Sequence, residues 1–531
     1  MPVSRRVVVV GGGHNGLVAS AYLARAGVDT VLVERRSRLG GVVGSFDYFP
    51  GYRAAITNSP GSFESRVMVE LELERHGLRF HRPSITVAQR FGDRTFLGFR
   101  DRDRIAAQIE AFAEGEYQRY RQLIDDLNSV GAASGLSVWR APDSVDRIRE
   151  RLGAGAKREL FDRVISGSLM DLLDDRLRSP QAKALLMMLA LPGTRQSPRD
   201  PGSALGLLLR PISMASLRPD EDSTAVNLPL RGSVGTPIGS MSAIIDALER
   251  SAVAAGARIL RDRSVERILT EDGRVSGVRL GDGEEIPADA VLSTIEPSLL
   301  QHDLLEDPDD LVPGRSVEPP QGGAFKLALA LDGLPTVPGL PEDVSAAQVL
   351  ESQIRIGSSP EHIESAIEAG IAGDVSDRPI MWGMVPSLAS PELAPSGTHL
   401  FSVNVWHAPY SLGESYWTTH RDAFAQRCIA QLDEQLPGLR DRITDVRALS
   451  PFDLEQEFSL TGSNITHGEM TVDRFFDRRP LAGLSQGKAS LSGLYLGGSG
   501  SWPGGYVTGA PGRNAAHSIV HDLALSSSTA A

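Results

Sequence analysis

Residues 7–34, VVVVGGGHNGLVASAYLARAGVDTVLVE, restrict what this chain can fold into more than any other stretch. Val7 to Val10 are β-branched and run straight into Gly11, Gly13 and Gly16 at G-x-G-x-x-G spacing, and a second apolar run, Thr30 to Val33, ends at Glu34. That order predicts strand, tight turn, helix, strand, acid. Gly11 permits the turn, Gly13 lets backbone N–H groups approach a pyrophosphate, and Gly16 lets the helix lie close on the strand. The helix N-terminus offers partial positive charge to phosphates, and Glu34, about 20 residues beyond the glycines, can accept hydrogen bonds from a ribose diol. A glycine triplet alone also closes ordinary strand-to-helix joins; here the flanking strands, the helix and the acid favour a bound dinucleotide. An acid at this position argues against a ribose 2′-phosphate. The stretch leaves FAD and NAD both open.

A chain of 531 residues predicts two or more domains, interleaved or in series. Its formal charge of −13, with no basic run, argues against nucleic acid as a partner. Cys428 is the only cysteine, which rules out an intramolecular disulfide and the paired thiols of dithiol flavoenzymes. The start MPVSRRVVVV imitates a signal peptide, but the apolar run breaks into glycines after four valines, so a strand is the better reading. No stretch approaches the ~20 apolar residues of a membrane span, and the expected location is the cytoplasm.

Further along, Gly40 and Gly41 form a second turn shortly after Glu34. Residues 104–127 and 145–178 have apolar residues at helical spacing and predict amphipathic helices. The apolar segments 184–191 and 204–212 suit core packing, and also a hydrophobic tunnel or a peripheral membrane contact. Residues 237–248 predict a glycine turn opening a helix, and 258–293, punctuated by Asp272-Gly273 and Asp282-Gly283, a three-stranded meander leaving through the strand ADAVLST. Strands are predicted at 324–331 and 397–408 and a helix at 416–436. The C-terminal stretch 493–525 reads as a short strand, a long glycine-rich loop and a helix entered near 509–514. Such a loop at a helix N-terminus is a second site for an electron-rich group, as the N1–C2=O edge of a flavin would be.

VVVVGGGHNGL, the turn from Glu34 to Gly41, the meander with its exit, TGSNITHGEM at 461–470 and LYLGGSGSWPGGYVTGAPGRNAA at 494–516 together resemble the phytoene-desaturase-like flavoproteins. Among these the chain is most similar to the branch named after pyridine nucleotide-disulfide oxidoreductase domain-containing protein 2, although it lacks the cysteines of a disulfide mechanism. Where relatives commonly carry THPGGG, this chain has SWPGGY, which puts Trp502 and Tyr506 in the loop.

The resemblance implies an α/β chain: a glutathione-reductase-like (Rossmann-type) FAD domain from residues 1–85, 225–300 and 485–531, with an inserted α+β substrate domain from 86–224 and 301–484. FAD would be held non-covalently by Gly11, Gly13, His14, Asn15, Gly16, Glu34, Arg35, Gly40, Gly41, Val265, Gly498, Ser499, Gly505, Val507 and Thr508. Trp502, Tyr506 and His467 are the expected substrate-pocket residues. Lys326, a lone cation in the apolar run GGAFKLALAL, is the leading catalytic candidate, because a buried lysine needs a partner and shifts its pKa readily. Its strand is similar to the one in amine oxidases whose lysine holds a water at flavin N5; an edge strand with Lys326 in solvent is the alternative. His407 is a second candidate, as general base or substrate contact, set against a packing role. No metal cluster and no Ser-His-Asp arrangement in a nucleophile-elbow context is visible.

These features point to an FAD-dependent dehydrogenase, desaturase or oxidase that takes a hydride from an apolar or amine-bearing small molecule to flavin N5. The electron acceptor stays open between O2 and a quinone. A redox-neutral isomerase using reduced FAD, a non-catalytic flavin-bearing scaffold and an NAD-only dehydrogenase are the alternatives. The last of these leaves the C-terminal glycine loop without a purpose.

Overall fold

Val7, Val8, Val9 and Val10 are all buried, and a run that is apolar at every position belongs in a parallel sheet covered on both faces. In the computed structural model, which describes residues 5–57, 62–191, 193–217 and 235–529, strand Arg6–Val10 is the middle of a five-stranded sheet. The order is Leu494–Leu496, Ala290–Ser293, Arg6–Val10, Asp29–Val33, Arg258–Leu260, and every pairing is parallel. Alternation sorts the side chains. Val7, Val9 and Leu32 pack under helices His14–Arg25, Ser242–Ala254 and Ala510–Thr529, whereas Val8, Val10, Val31 and Val33 pack against the meander.

The meander forms as Val265–Glu271, Arg274–Leu280 and Glu285–Pro287, all antiparallel, and Arg258–Leu260 belongs to the parallel sheet instead. A second large sheet of seven strands runs Ile443–Leu449, Phe325–Leu331, His399–Val405, Met381–Met384, Gln353–Ile356, Ile85–Phe91, Arg94–Phe99. All its pairings are antiparallel except that of Gln353–Ile356 with Ile85–Phe91. Phe325–Leu331 is buried at every position because neighbours cover both of its edges. The edge-strand alternative for Lys326 therefore falls.

Three expectations need correction. Residues 104–127 do not form one helix: Arg102–Glu110 and Glu116–Ala133 are separated by residues 111–115, and Gly115, at φ +72°, stands just ahead of the second helix outside the helical region. Residues 145–178 break into Val145–Leu152, Ala156–Ser166 and Leu169–Arg176, because Gly153 at φ +65° leaves the helical region and the chain is extended again at Gly167 and Ser168. The short strands Gln353–Ile356 and Met381–Met384 are absent from the sequence reading, since four residues among prolines and glycines carry too little periodicity to register. The domain junction expected at 224/225 lies outside the described residues.

The two apolar segments are core. Helix Pro180–Ala190 and the turn Ser203–Leu208 belong to one buried cluster with Phe161, Met470 and Trp502. Among the described residues no helix is long and apolar enough to cross a membrane.

The N- and C-terminal segments meet through glycine. A Cβ on Gly512 would lie 2.2 Å from the carbonyl oxygen of Asn15, which is backbone and cannot swing aside. Gly512→Val is therefore expected to destabilise the protein by about 1–3 kcal/mol through overpacking, read as a lower thermal-unfolding midpoint.

Candidate active site

The C-terminal ends of the parallel strands open onto a cavity of about 610 Å³, the position at which open α/β sheets take their ligands. Thr294, just past strand Ala290–Ser293, pins the glycine turn by donating from Oγ1 to the carbonyls of Val10 and Gly11, both at 3.0 Å. Glu34 crosses the same turn: its Oε2 accepts from the Gly12 N–H at 2.7 Å and its Oε1 from the Arg36 N–H at 3.0 Å. A carboxylate has about four lone-pair sites, so lone pairs remain for a diol.

The three fingerprint glycines do different things. A Cβ on Gly13 would meet nothing within 4 Å, so its surface faces open space, whereas one on Gly16 would lie 2.0 Å from the Gly11 carbonyl oxygen. The first N–H groups of helix His14–Arg25 have no partner within the helix and face the same space. His14 Nε2 and Asn15 Oδ1 are buried there without a hydrogen-bond partner. Arg35, Arg36 and Arg263 also line the cavity and add positive charge to its glycine-turn end. The guanidinium of Arg36 lies 4.7 Å from the centre of the Phe458 ring. Open glycines, a helix N-terminus, a diol acceptor and unpaired polar atoms together fit a dinucleotide.

The opposite wall comes from the C-terminal block. Ser499, Gly505, Tyr506, Val507 and His467 line the cavity. One side chain that sequence reasoning missed holds this wall together. Arg479, only 1% exposed, donates to the carbonyls of Thr466 at 2.6 Å, Ser499 at 2.8 Å and Glu469 at 3.2 Å. It ties the THGEM segment to the glycine loop, and burial lowers its pKa to about 10, so it stays charged at neutral pH. Its sequence context, DRRP, resembles a solvated turn and carries no signal of this role.

Burial makes the two histidines here neutral. His14 is pushed down to about 3, by burial and then by the neighbouring charge of His467; His467 is pushed down to about 4, by burial and then by Arg479. Glu296 also lines the cavity, and burial raises its pKa against the hydrogen bonds it accepts from the Ser298 and Leu299 N–H groups.

Lys326 lies in the same cavity wall, 1% exposed. Its Nζ donates to Ser402 Oγ at 2.7 Å and Asn404 Oδ1 at 2.8 Å, both neutral acceptors on strand His399–Val405. Burial drives its pKa well below the usual lysine value. Trp382 and Trp406, in edge-to-face contact at 5.3 Å, line the cavity alongside.

Of the anticipated residues, Gly11, Gly13, His14, Asn15, Glu34, Arg35, Gly40, Gly41, Val265, Ser499, Gly505, Val507, Lys326, His467 and Tyr506 line this cavity. Gly16 is packed beneath the turn, and Gly498 against the Thr294 carbonyl, where a Cβ would come within 2.5 Å. Thr508 accepts the Ala510 N–H at the start of the last helix. Trp502 is corrected from pocket to core. It is stacked with Phe476 and tilted against Phe475, and its Nε1 donates to the Ser137 carbonyl at 3.0 Å, because burying an indole requires a partner for its N–H. His407 is corrected from the cavity to the packing around Gly323 and Gly370, where burial lowers its pKa to about 4. The strand that pairs with Phe325–Leu331 ends at Val405, and the chain turns away at His407 with φ +61°.

Known proteins resemble the chain over almost its whole length. The family model for flavin containing amine oxidoreductase matches residues 16–519. Pyridine nucleotide-disulfide oxidoreductase domain-containing protein 2 of Rattus norvegicus is 32% identical over 97% of this chain and 93% of its own length. A limonene dehydrogenase polypeptide of Castellaniella defragrans is 24% identical over 98% and 95%. Among solved structures, wild-type putrescine oxidase bound to putrescine superposes with a TM-score of 0.60 at 15% identity, covering 98% of this chain and 99% of that one. The fold is thus a mixed α/β fold of the flavin amine oxidase type.

Two outcomes follow from the geometry. Gly13→Ala should leave the thermal midpoint of the apoprotein unchanged, because the methyl group meets nothing, while raising the Kd for added FAD by about tenfold or more. Titration of flavin fluorescence checks this. His14 and His467 titrate near 6.5 when unfolded and are neutral when folded, so their contribution is complete above pH 6.5 and lost as pH falls toward 4 and then 3. Apoprotein stability should drop by about 2 kcal/mol per histidine between pH 6.5 and 5, and His467→Gln should flatten that slope in urea unfolding.

Proposed function

Because the chain belongs to the flavin containing amine oxidoreductase family and is an FAD-dependent oxidoreductase acting on a small molecule, we propose that it is a dehydrogenase or desaturase of an apolar substrate. The fold is of the glutathione-reductase-like class in this reading. Residues 1–85, 225–300 and 485–531 form the FAD domain, and 86–224 and 301–484 the substrate domain. The turn from Gly11 to Gly16 and Glu34 would hold the ADP half of FAD, and Ser499, Gly505, Tyr506 and Val507 would meet its flavin end.

Bound FAD supplies a two-electron acceptor that takes a hydride, and the rest of the chemistry falls to the chain. The observation that carries the reading is how Lys326 is held, buried and bonded only to the neutral acceptors Ser402 and Asn404. A neutral amine has two N–H donors and one lone pair, so with both donors taken up by these two acceptors the lone pair is left as a base facing the cavity. When one carbon of the substrate loses a hydride, its neighbour can lose a proton to Lys326 Nζ, directly or through a water, and the two remaining electrons form the double bond. Asn404 and Ser402 orient the amine, and Trp382 and Trp406 supply apolar walls that exclude water.

An apolar substrate is favoured over an amine because both hydrogen-bond partners of Lys326, Ser402 and Asn404, are neutral. The name of the Castellaniella relative, a dehydrogenase of the hydrocarbon limonene, supports the same class. The electrons then pass to O2 or a quinone.

An anaerobic screen read by flavin bleaching tests the reading. Neutral apolar compounds should bleach the yellow protein and primary amines should not; bleaching by amines alone would overturn it. Lys326→Met should keep its bound FAD yet bleach about 10²–10⁴-fold more slowly. Since the neutral amine is the active form, the wild-type rate should rise with pH to a plateau, with its inflection well below 10.5.

A further inference from the structure

The wall that carries Lys326 continues past the cavity as one row across the seven-stranded sheet. Strand register places Lys326 opposite Asn404, Asn404 opposite Trp382, and Trp382 opposite Arg355. Directly paired residues project from one face. The row is also in contact: Lys326 Nζ donates to Asn404 Oδ1 at 2.8 Å, and the Arg355 guanidinium carbon lies 5.4 Å from the centre of the Trp382 ring. At one strand spacing per step, Arg355 stands roughly 14 Å from Lys326.

Arg355 is a cation without an anion. Its Nε donates to Gln353 Oε1 at 3.0 Å, and among the described residues no carboxylate pairs with it and its terminal nitrogens make no hydrogen bond. This differs from Arg479, whose two terminal nitrogens donate to three carbonyls. Burial lowers the pKa of Arg355 only to about 10, so the guanidinium is charged at neutral pH. Although it lies deep in the fold, the residue keeps partial exposure. Tyr120, on helix Glu116–Ala133, lies within the field of both Arg355 and the exposed Arg210. With its terminal donors free of hydrogen bonds and no carboxylate partner among the described residues, the guanidinium next to Trp382 of the cavity wall offers a site for an anionic group.

We propose that Arg355, with Tyr120 near it, receives the carboxylate head of an otherwise apolar substrate, whose body passes Trp382 and brings its reacting carbon to Lys326. This rests on reading the Lys326 cavity as the site of oxidation and narrows its substrate class to apolar acids. Arg355 is then a specificity-determining residue. A guanidinium holds a carboxylate through two parallel N–H···O bonds, and a neutral head group cannot replace that arrangement.

The test is equilibrium binding to the FAD-loaded protein, by calorimetry, with decanoate and decanol as matched probes. Decanoate should bind roughly 10- to 100-fold more tightly than decanol. Arg355→Met should bring that ratio close to one with decanol affinity unchanged, its FAD content and near-ultraviolet circular dichroism showing that it is folded. Arg355→Lys, which keeps the charge and is the milder change, should weaken decanoate several-fold and leave decanol alone. Equal binding of the two probes by the wild type, or an undiminished ratio in either variant, would overturn the proposal. Binding is read without turnover. A preserved ratio in a protein whose flavin no apolar compound bleaches would count against the oxidation reading and leave the anion site standing.

Discussion

The carbonyl oxygen of Gly11 occupies the place a side chain at residue 16 would need, 2.0 Å from where its Cβ would stand. The rest of the site depends on that approach. It seats helix His14–Arg25 so that its N-terminus points into the cavity, and it leaves the surface of Gly13 bare for a ligand. Gly512 repeats the device against the carbonyl of Asn15, and Gly498 against that of Thr294. Loops almost five hundred residues apart in sequence are thereby brought to one cavity by contacts between backbones, which tolerate no added atom.

The electrostatics divide the cavity into two parts. One end carries Glu34, Arg35, Arg36 and Arg263, a set suited to ribose and phosphates. At the other end burial leaves His14 and His467 neutral and lowers the pKa of Lys326. The acceptors that Lys326 bonds, Ser402 and Asn404, are neutral and bring no negative charge to offset its desolvation. Arg479 and Arg355 remain charged, and they differ in what surrounds them. The terminal nitrogens of the first donate to three carbonyls, and those of the second make no hydrogen bond among the described residues.

Legibility followed the range of the interactions. Gly11, Gly13, Gly16 and Glu34 could be read because turn, helix and strand are local and leave a fixed spacing. Lys326 stood out as one cation in an apolar run, but its burial depended on Ile443–Leu449 and His399–Val405 flanking it, which its own strand cannot report. Trp502 and Tyr506 are four positions apart in one loop and looked equivalent; the indole went into a core made by Phe475, Phe476 and Ser137, while the phenol stayed in the cavity wall. Arg479 and Arg355 were invisible because their meaning lies in partners from other segments, or in the lack of one.

The sequence by itself determined the dinucleotide fingerprint, the meander, the glycine-rich C-terminal loop and the family to which they belong, because each is a local pattern of turn-forming and apolar residues. Only the tertiary structure decided which polar groups are buried together, which are neutral, and which face open space. Charge state depends on desolvation and on neighbours distant in the chain, so the pKa of Lys326 fell, His407 became a packing residue and Arg355 was left without a carboxylate partner among the described residues only once the sheet and helices closed around them.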